Sequence, residues 1–314
     1  MEITHLVLSG GALKALCFIG IIQYLYLEDM VKNIKNIACC SMGSIIGMML
    51  GFKIPICDME KIFKNILNDK KTGFVSKKEF INLFYKNGVV SSYIYMEEIK
   101  KYIKERDGIE DITFIEYSKK YGINLYMSLT NIYTCKNEIF SIDTTPNVSV
   151  FKACSASIAI PLLYQPVKIN GYYYLDGGLS NNLPIDVFKD VPRENILAVA
   201  IESNKDLDKE KTIEKNTKPN LLIVIQQIFL LLNITRNQSV LLNKVDDRCT
   251  LIIYNSPLQG WMKFKIGVNG SMVNLSEEDI HNMIFIGFDN AFKYFNERRD
   301  NYNEKTELRL KNLL

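Results

Sequence analysis

The sequence predicts an α/β fold built on a mostly parallel central sheet. Short, continuous apolar runs such as His5–Ser9 and Ile196–Ile201 are typical of strands that are buried on both faces. The N-terminal residues up to Phe52 alternate strand, glycine loop, helix, strand, sharp turn and helix, which is the βαβα order of a parallel sheet. With 314 residues, of which 47% are hydrophobic, the chain can fill one large core.

Four elements account for the N-terminal part. The run His5–Ser9 predicts a strand that ends at a pair of glycines, and Lys14–Glu28 is apolar nearly all round, as in a buried helix. Lys35–Cys39 predicts a second strand and Met42–Phe52 a second apolar helix, joined by a sharp turn.

Residues 58–110 differ in character, because they are polar and rich in lysine, with heptad-like apolar spacing. We expect several amphipathic helices here, forming a helical insertion that caps the sheet. Within this part, Asn68–Glu79 has the sixth-position glycine and twelfth-position glutamate of a calcium-binding loop. Lys70 stands where the third-position ligand belongs, so we interpret the pattern as a coincidence and predict no metal site.

The remaining elements follow from the same patterns. The predicted strands are Ile123–Leu129, Glu138–Asp143, Tyr172–Leu175, Ile196–Ile201 and Leu251–Tyr254. The predicted helices are Val150–Ser157, Leu221–Asn233 and Glu277–Arg299, and the charged segment Asn204–Thr217 predicts a loop. Because the chain has neither an internal repeat nor a convincing linker, we expect one domain.

Charge, cysteines and termini narrow the class of protein. The net charge of +3, from 38 basic and 35 acidic side chains, gives no electrostatic case for a nucleic-acid partner. The seven cysteines are irregularly spaced and form no CxxC pair, which predicts neither a zinc site nor a disulfide framework and indicates a reducing compartment. The N-terminus lacks the pattern of a signal peptide, and the longest apolar run, Leu221–Leu232, is shorter than the roughly 20 residues that a bilayer requires. We therefore expect a cytoplasmic protein.

Ser41 lies on the sharp turn between the second strand and its helix. A serine on such a turn projects its hydroxyl from the edge of the sheet, and the N–H groups of the following helix point to the same place, which suits a developing oxyanion. Small residues two positions before and after the serine let the turn close; Gly43 is present, whereas Cys39 replaces the first glycine. Taken alone, the pattern is explained equally well by a helix N-cap serine.

The segment Ser9–Ala15 follows the first strand and opens a helix. Its glycines permit a close approach of the backbone and direct N–H groups at an anion. Ala12 and Ala15 occupy the last two glycine positions of a dinucleotide-binding G-x-G-x-x-G motif, and P-loop spacing is absent. We therefore favour an oxyanion hole over a phosphate site.

Asp176 ends a predicted strand far along the chain and precedes Gly177 and Gly178. The aspartate could act as a base, with the two glycines shaping the turn around it. On its own, the pattern is better explained as an Asp-Gly hairpin turn.

Together the three segments resemble the patatin-like phospholipases. That family has a glycine-rich oxyanion loop after the first strand, a G-x-S-x-G elbow and a D-G-G/A aspartate, in this order. The stretch Lys152–Asp186 is similar to the family's A-S-x-x-I-P…P-V…Y-x-D-G-G-x-x-N-N-x-P block. Residues that fall in place there are Ser157, Ile160, Pro161, Pro166, Val167, Asp176, Gly177, Gly178, Asn182 and Pro184. The resemblance covers about Leu6–Val187.

The resemblance implies a three-layer α/β/α fold and hydrolysis of acyl esters in lipids or phospholipids. Residues 6–188 would be the catalytic domain, with 58–110 as its insertion, and 189–314 would complete the same fold. Carried over by motif, Ser41 is the nucleophile and Asp176 accepts its proton directly, so no histidine, metal or cofactor is needed. The backbone N–H groups of Gly10, Gly11, Ala12 and Met42 would form the oxyanion hole. Cys39, Gly43, Gly177, Gly178 and Lys14 would support the motifs.

Three departures from the family pattern bear on activity. Ala12 and Ala15 replace loop glycines and Cys39 replaces the elbow glycine. Alanine still donates its N–H but disfavours a positive φ, so a loop that needs such an angle at position 12 would be distorted. One alternative is therefore a catalytically weak lipid-binding or regulatory protein of this fold. A second alternative, within the enzyme class, is an acyltransferase.

A membrane partner is a further hypothesis. An enzyme that acts on bilayer lipids needs apolar contact surface, so the helix at Leu221–Leu232 could make transient contact with a membrane surface. Burial in the core is the commoner outcome for such a helix.

Overall fold

The computed structural model describes residues 2–68, 85–201, 249–253 and 276–311. Within these ranges the chain forms ten strands. They are β1 His5–Leu8, β2 Asn36–Cys40, β3 Gly88–Val90, β4 Asn124–Asn131, β5 Asn137–Ser141, β6 Leu162–Tyr164, β7 Val167–Ile169, β8 Tyr172–Asp176, β9 Ile196–Ile201 and β10 Thr250–Ile253.

Eight of these strands form one twisted sheet in the described part of the chain, in the order β10-β9-β1-β2-β4-β8-β7, with β5 also paired to β4. The five strands β10, β9, β1, β2 and β4 run parallel. β5 and β8 are antiparallel to β4, and β7 is antiparallel to β8. The predicted α/β class with a mostly parallel sheet is therefore confirmed.

Seven α-helices are described. They are α1 Cys17–Leu27, α2 Met42–Gly51, α3 Ile56–Asn68, α4 Ile94–Asp107, α5 Phe114–Tyr121, α6 Val150–Ser157 and α7 Glu277–Lys311. Alternate residues of β1 face different cores: Leu6 and Leu8 lie in the larger apolar cluster with α1 to α7, whereas Val7 lies in a smaller one that includes Phe188. Because side chains alternate across a strand, this pattern puts protein on both faces of the sheet.

The expected insertion contains α3 and α4, and also a strand, β3, which pairs in parallel with β6. Phe63 of α3 and Ile103 of α4 are fully buried in the larger apolar cluster that the sheet shares. Neither β3 nor β6 was predicted, because three residues are too few to show an alternating pattern.

Three helices differ from their predicted bounds, and α2 does so only by ending one residue earlier, at Gly51. The first begins as a 3-10 helix, Ala12–Leu16, before α1, since tight turns are common at helix starts. The last extends past Arg299 to Lys311. The segments Asn204–Thr217 and Leu221–Asn233, and all but the first residue of the calcium-like stretch, lie outside the described residues. No helix in the described ranges combines the length and apolar character needed to cross a membrane.

Candidate active site

Ser41 occupies a strained turn between β2 and α2. Its φ of 51° and ψ of −131° lie outside the region that serine normally adopts. A residue held in such a region costs on the order of 1–3 kcal/mol, so its surroundings must enforce the angle. This is the geometry that lifts a serine hydroxyl above the end of a strand.

Gly43 allows the turn to lie close to β1. A Cβ at this position would be 2.5 Å from the carbonyl oxygen of Ser9 and 2.8 Å from that of Leu8. Both contacts are to backbone, which cannot move away cheaply, so only glycine fits. The first turn of α2 therefore reaches the end of β1, next to the glycine loop.

The hydroxyl of Ser157, a fully buried residue of α6, fixes the turn at Ser41 through hydrogen bonds. It accepts a hydrogen bond from the Ser41 N–H at 3.0 Å and donates one to the Ser128 carbonyl oxygen at 2.8 Å. The Ser44 hydroxyl lies 2.9 Å away and completes the set as a donor. The Ser157 hydroxyl thus ties the turn to β4. The sequence contained Ser157 as a motif position but carried no signal of this role.

The Ser41 Oγ donates a hydrogen bond to Asp176 Oδ2 at 2.7 Å, across 135 residues of sequence. Both side chains are buried, Ser41 at 6% and Asp176 at 5% exposure. The other carboxylate oxygen, Oδ1, accepts the Gly178 N–H at 2.6 Å. One oxygen is therefore anchored while the other faces the serine.

The backbone of Asp176 is anchored as well. Its N–H donates to the Ala159 carbonyl oxygen at 2.9 Å, and its carbonyl oxygen accepts the Thr130 hydroxyl at 2.8 Å. These contacts join the end of β8 to β4 and to the residues after α6. Together they hold the carboxylate at the level of Ser41.

Neither histidine of the chain takes part in this pair. The ring of His5, at the start of β1, contacts Thr4 and Asn36 through its two nitrogens, and burial lowers its pKa. That end of β1 is opposite to the end that precedes the glycine loop. His281 is exposed on α7. The geometry can therefore support direct proton transfer from serine to aspartate.

The glycine loop lies against Ser41. A Cβ on Gly10 would come within 2.9 Å of the Ser41 Cβ and 2.4 Å of Asn182 Oδ1. The Gly10 N–H donates to the Asn182 carbonyl oxygen at 3.1 Å, and the Asn182 amide donates back to the Gly10 carbonyl oxygen at 3.3 Å. This corrects the expectation that Gly10 is an oxyanion donor, because its N–H is already engaged.

The N–H groups of Gly11, Ala12 and Met42 differ from that of Gly10. Among the described residues, the N–H groups of Gly11, Ala12 and Met42 donate no hydrogen bond. Ala12 has a φ of 47°, so the loop adopts the left-handed angle even without glycine. Ala15 has no positive φ and is fully buried in the 3-10 helix, where alanine is well suited. The strain in this loop therefore lies at Ala12 and not at Ala15.

Two further motif residues are Cys39, which departs from the family pattern, and Lys14, which was expected to support the glycine loop. Cys39 lies within β2 without a positive φ, so a side chain is tolerated there. Its thiol points toward the Tyr126 carbonyl oxygen at 3.6 Å, and burial raises its pKa to about 12. The thiol is thus neutral and unreactive at physiological pH. Lys14 is half-buried in the 3-10 helix, one turn from Cys17.

Tyr164 is a neighbour that the sequence did not predict. Burial raises the pKa of its phenol well above the ordinary value, and Tyr95 and Asp176 raise it further. Its hydroxyl lies 2.8 Å from that of Tyr95. The phenol therefore stays neutral at physiological pH.

Comparison with known proteins identifies the family of the chain. The family described as patatin-like phospholipase matches residues 6–189. The probable lipid hydrolase 463L of Invertebrate iridescent virus 6 is 29% identical over 184 residues, covering 58% of this chain and 62% of that protein. The uncharacterized protein R571 of Acanthamoeba polyphaga mimivirus is 28% identical over 270 residues, covering 84% of this chain and 87% of that protein. Patatin-like phospholipase domain-containing protein 4 of Homo sapiens is 27% identical over 178 residues, covering 56% of this chain and 60% of that protein. The match thus spans about three fifths of 463L.

Among solved structures, VipD from Legionella pneumophila superimposes with a TM-score of 0.57 at 18% identity. The superposition covers 95% of this chain and 67% of VipD. At that identity the likeness shows a common fold.

The strain at Ala12 predicts opposite effects of the same substitution at two loop positions. Ala12→Gly should raise the free energy of unfolding by about 1 kcal/mol, because glycine adopts a positive φ without a Cβ clash. Ala15→Gly should lower it by about 1 kcal/mol, because glycine adds backbone freedom to a helical position. Urea denaturation followed by circular dichroism measures both, and equal losses would contradict strain at Ala12.

Proposed function

The chain belongs to the patatin-like phospholipase family, and from that premise we propose that it is a serine hydrolase of lipid acyl esters. Ser41 would be the nucleophile and Asp176 the proton acceptor. The observation that carries the proposal is the 2.7 Å hydrogen bond from Ser41 Oγ to Asp176 Oδ2, because nucleophile and base must lie within such reach.

The proposed reaction has two steps. As Ser41 Oγ attacks the ester carbonyl carbon, its proton passes to Asp176 Oδ2, and the tetrahedral intermediate then expels the alcohol, which takes that proton. The acyl group is left as an ester on Ser41. A water molecule then attacks the acyl-enzyme and gives its proton to Asp176, and Ser41 regains a proton as the fatty acid leaves.

The oxyanion would be held by the backbone donors of Gly11, Ala12 and Met42. Their N–H groups make no other hydrogen bond among the described residues. Met42 directly follows Ser41, and Gly11 and Ala12 follow Gly10, which lies against Ser41. Losing one oxyanion donor typically costs about 3 kcal/mol of transition-state stabilisation, so the path of this loop matters to turnover. Gly10 contributes by fixing that path through Asn182.

We also propose that the C-terminal part completes the same unit. β9 pairs with β1 in parallel, and β10 pairs with β9, so both extend the sheet that carries Ser41. Residues 189–314 would then be required for the fold of the catalytic part 6–188.

Removing either member of the dyad is expected to abolish hydrolysis. Ser41→Ala and Asp176→Asn should each lower the turnover of a chromogenic acyl ester at least about a thousandfold, because groups that act as a unit are lost together. Thermal unfolding of both variants serves as the folding control. Equal rates for Ser41→Ala and the unchanged protein would refute the proposal.

Ser157 is expected to act through the position of Ser41. Ser157→Ala removes the acceptor of the Ser41 N–H and should lower kcat at least about tenfold with little change in KM, as expected for a misplaced nucleophile. The matched control is Ser92→Ala, which also removes a buried hydroxyl. That hydroxyl lies 2.7 Å from the hydroxyl of Ser155, and Ser155 is in the same helix as Ser157. Both variants should lose about 1–3 kcal/mol of stability. If kcat falls equally in both, Ser157 has only a structural role.

A further inference from the structure

Two β-hairpins turn on the same side of the molecule. One turn comprises residues 132–136, between β4 and β5, and the other is Asn170–Gly171, between β7 and β8. The second is a tight turn with positive φ at both residues, 49° and 88°, which matches the Asn-Gly signature of a two-residue hairpin. We call these turns and the adjoining ends of their strands the hairpin tips.

Strand register places the hairpin tips beyond the dyad. Cys40, which precedes Ser41, pairs with Ser128, and the following residue, Leu129, pairs with Asp176. From this level β4 and β8 continue past the carboxyl ends of β1 and β2, until the Ile132 N–H bonds the Tyr173 carbonyl oxygen at 3.1 Å. At about 3.3 Å per residue, Tyr173 lies about 10 Å beyond Asp176 along the strand. The tips therefore stand at the edge of the sheet on which the candidate active site opens.

The hairpin tips expose large apolar side chains. Tyr133 is 62% exposed and Tyr172 52%, and their rings meet edge to face at 5.8 Å. Tyr173 and Ile132 are 39% and 37% exposed, and the Lys168 ammonium lies 5.6 Å from the Tyr173 ring centre. An edge that exposes three tyrosines, two of them in ring contact, is a candidate interaction surface.

The hairpin tips carry two lysines, and Glu138, the second residue of β5, accepts hydrogen bonds from Asn131 and Tyr174. Segments 132–136 and 168–173 carry Lys136 and Lys168 and contain no acidic residue. Tyrosines suit the membrane–water interface, since the ring can enter the headgroup layer while the hydroxyl stays in water. Lysines beside them are attracted to anionic lipids. A symmetric contact with a second copy would instead bring like charges together.

We propose that the hairpin tips dock the protein on the surface of a phospholipid bilayer that contains anionic lipid. Ile132, Tyr133, Tyr172 and Tyr173 enter the interface, and Lys136 and Lys168 face the headgroups. Docking on this side brings the bilayer to the edge from which a lipid reaches Ser41. The choice of a lipid surface rests on the proposed hydrolase function, whereas the geometry of the tips does not.

Binding is tested separately from catalysis by using full-length protein with Ser41→Ala. Co-sedimentation with phosphatidylcholine vesicles, with and without phosphatidylserine, should show tighter binding when phosphatidylserine is present. Adding Tyr133→Asp and Tyr172→Asp should weaken vesicle binding at least about tenfold. The matched control, Tyr26→Asp with Leu27→Asp, should bind within about twofold of the parent. Those residues are 43% and 70% exposed at the far end of α1, which runs away from the glycine loop.

The two exposed cysteines provide a second readout. Cys135 lies in one hairpin turn and Cys57 lies on α3, and the other five cysteines are buried. An environment-sensitive fluorophore on Cys135, in a Cys57→Ser background, should shift to shorter wavelength when phosphatidylserine vesicles are added. The same fluorophore on Cys57, in a Cys135→Ser background, should not shift.

Three outcomes would overturn the docking proposal: equal vesicle binding by the two double variants, a spectral shift at Cys57 but not at Cys135, or a shift at Cys135 caused by self-association without vesicles. Failure of the hydrolase proposal has a different signature. The unchanged protein would then release no fatty acid, while the Ser41→Ala protein would still bind vesicles through the hairpin tips, and the docking proposal would stand.

Discussion

The left-handed backbone of Ser41 is the constraint on which the rest of the site depends. A serine adopts a φ of 51° only when its neighbours enforce it. Three do so: the Ser157 hydroxyl binds the Ser41 N–H, Gly43 lets α2 approach β1, and Asp176 accepts the serine hydroxyl. Each comes from a different part of the chain, so the hydroxyl reaches its position only when the sheet has assembled.

The same dependence explains what the sequence could and could not predict. Ser41 and Asp176 were paired through the family resemblance of their motifs, and helix α6 and strand β9 have their predicted bounds. The engagement of the Gly10 N–H was not predictable, because it depends on how Asn182, 172 residues away, returns across the end of β1. The strands β3 and β6 are too short to carry a pattern. The role of Ser157 depends on its contact with a turn 116 residues earlier.

At Ala12 of the glycine loop, the surrounding structure overrides the backbone preference of the residue. Ala12 keeps a φ of 47°, although alanine disfavours it, because the loop is pinned at Gly10 by Asn182 and continues into a buried 3-10 helix. Cys39 carries no such strain, since it lies in an extended strand. Of these departures from the family pattern, only Ala12 therefore carries backbone strain.

The central claim, that Asp176 directly activates Ser41, is tested most directly by covalent labelling with a fluorophosphonate. The account predicts one adduct by intact-protein mass spectrometry, mapped by peptide sequencing to Ser41. It also predicts that labelling slows at least about a hundredfold in Asp176→Asn, because the serine loses its proton acceptor. An adduct on another residue, or an unchanged labelling rate in Asp176→Asn, would contradict the account.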